Sequence, residues 1–424
     1  MAVRNLAWRA TAAAWALVAS WSAPAATHEQ INTAIDKGLA HLASTQQAGG
    51  YWAFGGYEPA ATGAAAFAML SQKNQWDAGV SAAYQQQVDR AIGYLLSTAS
   101  RVNVSTRNDG VNICPGGGSC AAVFWNAAGN EDTYTTGLIA PALATYAKAN
   151  PDAVATASGA LAGMTWKQIA QGIVNTFAAS QSTANQGPLR GGWRYSLASG
   201  QFDSDMSTTQ WGAIALLYSQ ELGATVPGIV KTDLANFLSY TQDPATGAGC
   251  YQGPQSGLCD HSDTGGLLIS KAFIGVNAGD PSVQKALQFL RSNWSMGANN
   301  TWYGNFGQPY AMWAVYKGLQ TQIGLDDNTA IPIGAAACGT LSPGDSCNWW
   351  ENYNEYLVDT QLANGGWSGY AYWTDPLATA FYLPILGGTL IPDDANPTPE
   401  PATLALAGLA LGGLMLRRRR AARP

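Results

Sequence analysis

One helical hairpin recurs six times along the chain. The pairs His41-Leu42, Tyr94-Leu95, Thr176-Phe177, Phe237-Leu238, Phe289-Leu290 and Tyr356-Leu357 each precede, by four residues, Gln46, Ala99, Gln181, Gln242, Trp294 and Gln361. That spacing places the second member and the later residue on one helical face. Glycine-aromatic turns follow in Gly49-Gly50-Tyr51-Trp52, Gly191-Gly192-Trp193 and Gly365-Gly366-Trp367. The second and fourth copies carry cysteine loops there instead.

The second helices are expected at 60–70, 133–148, 207–221, 264–276, 310–319 and 377–386. They are apolar nearly all round, as helices buried on every side are. The first helices are amphipathic, as at Ile31, Ile35, Leu39 and Leu42. Alternation of amphipathic and buried helices predicts an outer ring wrapped around an inner one. The expected fold is therefore all-α, an (α/α)6 toroid over residues 27–390.

Composition agrees with a well-buried body. Only 11% of the 424 residues are charged, against 47% hydrophobic, which excludes a disordered chain. The formal net charge is -6. Nucleic acid is excluded as a partner, because phosphates select basic faces.

The turn motifs carry a resemblance. Tyr356-Leu357, Gln361 and Gly365-x-Trp367, with Leu42, Gln46 and Gly50-x-Trp52, resemble the repeat of squalene-hopene cyclases and prenyltransferase β-subunits. The resemblance covers roughly 28–390 and implies a toroid, not an activity. The cyclases' Asp-x-Asp-Asp acid is incomplete, since Met206 follows Asp203-x-Asp205. The prenyltransferases' zinc set is matched only by Asp345-Ser346-Cys347, with no His downstream. No cofactor or metal follows from the sequence.

Arg4 and Arg9 precede an apolar run from Ala10 to Trp21 and then Ala23-Pro24-Ala25. This pattern predicts a secretory signal over 1–26 and passage through the Sec export machinery. At the other end a Pro/Asp-rich linker, 391–398, leads to Pro399-Glu400-Pro401, an apolar stretch and Arg417 to Arg420. Segment 399–424 resembles the PEP-CTERM sorting signal of Gram-negative bacteria. The resemblance implies an exosortase partner, a short transmembrane helix during transit, and a destination at the cell surface or extracellular matrix. Removing seven arginines and Glu400 with these ends would take the formal charge from -6 to -12.

Six cysteines form three close pairs, Cys114 with Cys120, Cys250 with Cys259 and Cys338 with Cys347. Each brackets a loop rich in small residues, and none has the C-x2-C spacing of zinc sites. Three local disulfides are expected, as suits an oxidising compartment.

In a toroid the loops entering the inner helices gather at one mouth. The acids expected there are Glu58, Glu131, Asp132, Asp203, Asp205, Asp260, Asp263 and Asp375, with His261 among them. Of these Asp132, Asp203, Asp205, Asp263, Asp375 and His261 are the catalytic candidates, since carboxylate pairs cleave glycosidic bonds. Asp132, Asp205 and Asp375 are also expected as helix caps, which is the ordinary role of an Asp directly before a helix, and His261 as a solvated surface residue. Trp193, Tyr195, Trp211, Tyr134, Trp302 and Trp373 are candidate stacking platforms for sugars. The leading expectation is a surface protein that binds matrix polysaccharide. The alternatives are a glycoside hydrolase or polysaccharide lyase, and a structural matrix protein.

Overall fold

A computed structural model describes residues 26–126, 128–197, 203–297, 303–334 and 347–392. The expected leader, the transmembrane segment, most of the linker, Pro399-Glu400-Pro401, Trp302 and Cys338 lie outside the described residues. None of the described helices is long and apolar enough to cross a membrane.

The chain is predominantly helical. The outer helices are α1 (His28–Thr45), α3 (Ser81–Thr98), α5 (Trp166–Ser180), α7 (Gly228–Thr241), α9 (Pro281–Asn293) and α11 (Trp349–Thr360). They alternate with α2 (Glu58–Ser71), α4 (Asp132–Ala147), α6 (Met206–Glu221), α8 (His261–Phe273), α10 (Pro309–Ile323) and α12 (Leu377–Leu386). The even-numbered helices are buried along nearly their whole length. Each packs on the next, α2 on α4, α4 on α6, α6 on α8, α8 on α10 and α10 on α12, and α12 returns to α2. Close approach depends on small residues: a Cβ on Gly265 of α8 would stand 2.3 Å from the Ala314 carbonyl carbon of α10.

The repeated motif is a hydrogen-bonding device. The indoles of Trp52, Trp125, Trp193 and Trp367 donate to the carbonyls of Leu42, Leu95, Phe177 and Leu357. These are the second members of the outer-helix pairs. The backbone N–H of the same tryptophans donates to Thr62, Thr136, Thr209 and Thr379 on the inner helices. One tryptophan, through its ring and its backbone N–H, thus ties both helices of a hairpin to their turn. Trp125 does this in the second copy, where the sequence showed only an interrupted turn. The interruption contains strands β1 (Ser100–Val104) and β2 (Cys120–Phe124), an antiparallel pair with Val104 opposite Cys120.

The glutamines join neighbouring hairpins. Gln46, Gln181 and Gln242 each donate to the glycine carbonyl of their own turn and to a carbonyl of the next hairpin, at Gln87, Val230 and Ser282. Gln361 does the same with Gly365 and with Ala34 of α1.

Two disulfides match the expected pairing, Cys114–Cys120 and Cys250–Cys259. The second joins strands β3 (Gly249–Cys250) and β4 (Cys259–Asp260), the antiparallel turn before α8. Cys347 is also disulfide-bonded.

The space enclosed by the inner helices is filled with rings. Trp211 of α6 stacks on Phe381 of α12 at 6.0 Å, Trp313 of α10 on Phe381 at 5.8 Å, and Phe67 of α2 meets Trp313 at 6.1 Å. At the far end of the same helices, Gln72 donates to the Leu383 carbonyl and to Thr389, while Tyr316 donates to the Thr389 carbonyl. Ile391 N–H is held by Gln320.

Candidate functional site

A cavity of about 970 Å³ opens next to these rings, its lining residues Tyr310 and Trp373 in contact with Trp211 and Phe381. Every inner helix reaches it from its first turns: Ala60 of α2, Tyr134 of α4, Ser207 of α6, Ser262 of α8, Tyr310 of α10 and Leu377 of α12. The six N-terminal ends therefore lie at one opening, where their backbone dipoles add a positive contribution.

Rings form much of its wall. Tyr310 stacks on Trp373 with centroids 4.5 Å apart, and Tyr134 stacks on Tyr195 at 5.9 Å. Tyr134 donates to Ser207 at 2.7 Å, and Tyr310 donates to the Ser207 carbonyl at 2.5 Å. Tyr195 and Tyr251 share a 2.8 Å hydroxyl contact. At the rim Leu258, Tyr303 and Tyr372 are exposed, Tyr372 by 78%.

Four carboxyls line the cavity, Glu131, Asp260, Asp263 and Asp375, and no Lys or Arg is among the described lining residues. Burial pushes the Glu131 carboxyl up. Asp260 caps α8, accepting from Asp263 N–H at 2.9 Å and Ser262 Oγ at 2.8 Å, and burial raises it despite those donors. Asp263 is only 3% exposed. Burial, then the neighbouring charges of Asp260 and Asp205, push its carboxyl well above the usual range. Asp375 accepts from His41 Nε2 at 2.9 Å and from Thr379 Oγ1 at 2.5 Å.

The remaining sequence candidates are placed elsewhere. Asp205 is wholly buried as the cap of α6, holding Thr208 N–H, Ser207 and Arg194. Burial raises its carboxyl against the pull of those donors. Asp203 pairs with the same guanidinium at 3.0 Å, so Arg194 is shared between two acids and does not line the cavity. Asp132 is buried behind the wall, with Ser196 as a 3.4 Å neighbour. It is the first residue of α4 and not its cap. Asp375 is likewise not the cap of α12, because Pro376 occupies that position and the carboxylate turns to His41 and Thr379. Glu58 starts α2 outside the lining, accepting from Gly56 N–H at 3.1 Å.

His261 is neither a surface residue nor a cavity residue. It is 1% exposed, with Nε2 against the Asn293 carbonyl at 3.0 Å and its ring on Phe289. Burial lowers its pKa. Trp193 and Trp211 do not line the cavity, since one seals a turn and the other is buried against Phe381. Tyr134, Tyr195 and Trp373 do line the cavity.

Sequence reasoning missed His41, Tyr251 and Tyr310. Tyr310 opened a predicted inner helix, and first-turn position was signal enough to find it. His41 occupies a slot filled by Tyr or Phe in four other copies, so its polarity could have marked it. Tyr251 gave no signal apart from adjacency to Cys250.

No metal site comes from the described residues. Asp243, Cys250 and Cys259 approach one another, but both sulfurs are joined in the disulfide.

Residues 397–420 match the PEP-CTERM protein-sorting motif. The chain carries an exosortase sorting signal. That motif marks a protein exported to the cell surface and processed by an exosortase. A search of curated proteins returned no match to the chain.

Proposed function

We propose that this is an exported (α/α)6 toroid whose cavity binds carbohydrate of the extracellular matrix. The closed order of inner-helix neighbours supports the toroid. The observation that carries the ligand reading is the single cavity to which all six inner helices contribute, walled by rings and carboxyls together. Aromatic faces stack on the C–H faces of sugar rings, and carboxylates accept from hydroxyls. The cavity is at the upper end of small-ligand pockets, which suits a few sugar residues.

Its charge narrows the ligand. Carboxyls without lining cations disfavour uronates and phosphates and favour neutral or amino sugars. The same argument sets polysaccharide lyase chemistry aside, because a lyase must neutralise a uronate. The C-terminal sorting motif supports the extracellular address.

Calorimetry of the exported protein with neutral, amino-sugar and uronate oligosaccharides tests the reading. Binding of the first two classes with heat lost in Trp373→Ala is expected. Preference for uronates, or no binding at all, would defeat it.

A further inference from the structure

Asp263 is the one lining acid with an orphaned oxygen. Its Oδ1 is buried and has no hydrogen-bond partner among the described residues. Asp260, one turn earlier, is satisfied by Ser262 and by Asp263 N–H. A largely buried carboxyl beside a second carboxyl, with no lining cation, favours its protonated form. Retention of the proton also fits the missing partner, because a buried carboxylate left unpaired would be far costlier.

Asp375 has the opposite environment. Its side chain is 37% exposed to the opening, and one oxygen is held by the buried His41 of α1 and the other by Thr379. All three helices meet at this wall: α10, which carries Tyr310 stacked on Trp373, packs on both α8 and α12, and both acids line the same cavity. A sugar ring on that pair would have a proton donor toward α8 and a base toward α12.

We propose that the cavity hydrolyses a glycosidic bond, with Asp263 as general acid, Asp375 as general base and His41 as a positioning residue. This rests on the reading that carbohydrate enters the cavity. The Asp263 proton passes to the glycosidic oxygen as its bond to the anomeric carbon breaks. Water attacks that carbon and gives its own proton to Asp375. One water is consumed, two sugar ends are released, and solvent returns the proton from Asp375 to Asp263. His41 donates from Nε2 to Asp375 and fixes the orientation of its free lone pairs.

The test uses the exported protein with neutral and amino-sugar oligosaccharides, following reducing ends and binding in parallel. Wild type is expected to release ends, and Asp263→Asn to lose about 10²–10⁴-fold in rate while still binding. Asp375→Ala is expected to fall similarly and to recover when azide is added in place of the missing base. His41→Leu should lower kcat about tenfold at unchanged KM, with His41→Gln recovering most of it because a donor is restored. Asp203→Asn, outside the cavity, should leave release unaltered. Binding by wild type without release overturns the proposal and leaves the binding reading intact, whereas absence of binding overturns both. Undiminished release in Asp263→Asn that still binds, or an Asp375→Ala enzyme indifferent to azide, also overturns it.

Discussion

Gln361, in the last hairpin, donates a 2.8 Å hydrogen bond to the Ala34 carbonyl in the first. The contact spans almost the whole described chain and is built as Gln46, Gln181 and Gln242 build theirs. Replacing Gln361 by Leu removes the donor to two carbonyls, at a cost of about 1–3 kcal/mol. Hydrogen exchange should then accelerate in α1 and α12 and hardly change in α6. Equal acceleration throughout would show that this seam is not a separate weak point.

Gly191 is held at φ +103, and a Cβ there would stand 1.8 Å from the Asp233 carbonyl oxygen of α7. Gly191→Ala combines left-handed backbone with a backbone clash, so a loss above about 3 kcal/mol is expected. Gly187→Ala provides the comparison, since its φ is +57 with open space around the added carbon. Urea midpoints of the two variants should differ widely, and similar midpoints would remove the role given to close packing.

Asp233 binds Arg107 at 2.5 Å and also Arg190, and the Asp233 and Arg107 side chains are both fully buried. Asp233→Ala leaves the buried Arg107 only the partly exposed Asp109 as an ionic partner and should cost about 2–4 kcal/mol. Asp203→Ala disrupts a half-exposed pair and should cost under about 1 kcal/mol. Thermal unfolding of both variants checks the contrast. Near-equal losses would mean that burial does not govern these ion pairs.

Asp263 links stability to pH. Its native pKa is raised well above the ordinary carboxyl value, so the folded protein keeps a proton that the unfolded chain releases above about pH 4. Stability from this group therefore falls as pH rises through that window, by at most about 1.4 kcal/mol per unit. Asp263→Asn cannot titrate and should gain on wild type steadily from pH 5 to pH 7 in urea unfolding. A pH-independent difference would mean that Asp263 is ionised in the native state.

The helical hairpins were legible because each depends on local spacing. The Leu-to-Gln interval and the Gly-x-Trp turn encode hydrogen bonds that close within about ten residues, as Trp367 to Leu357 does. Inner helices were legible from their all-round apolarity. The second turn was hidden because β1, β2 and their disulfide loop separate Trp125 from its partner Leu95 by 30 residues. Site residues were harder to read for a related reason. Whether an Asp before a helix caps it or faces the cavity depends on one backbone rotation, and Asp205 and Asp375 took different courses. The pairing of His41 with Asp375 crosses 334 residues, and no periodicity reports such a meeting.

The inner helices all begin at the opening, and α12 begins there with Leu377. Ten residues of helix carry the chain about 15 Å away, to where Gln72, Tyr316 and Gln320 fasten residues 389 and 391. The sorting motif starts six residues later, at 397. The described chain therefore ends at the end of α12 away from the cavity opening, fastened there by side chains of α10 and by Gln72.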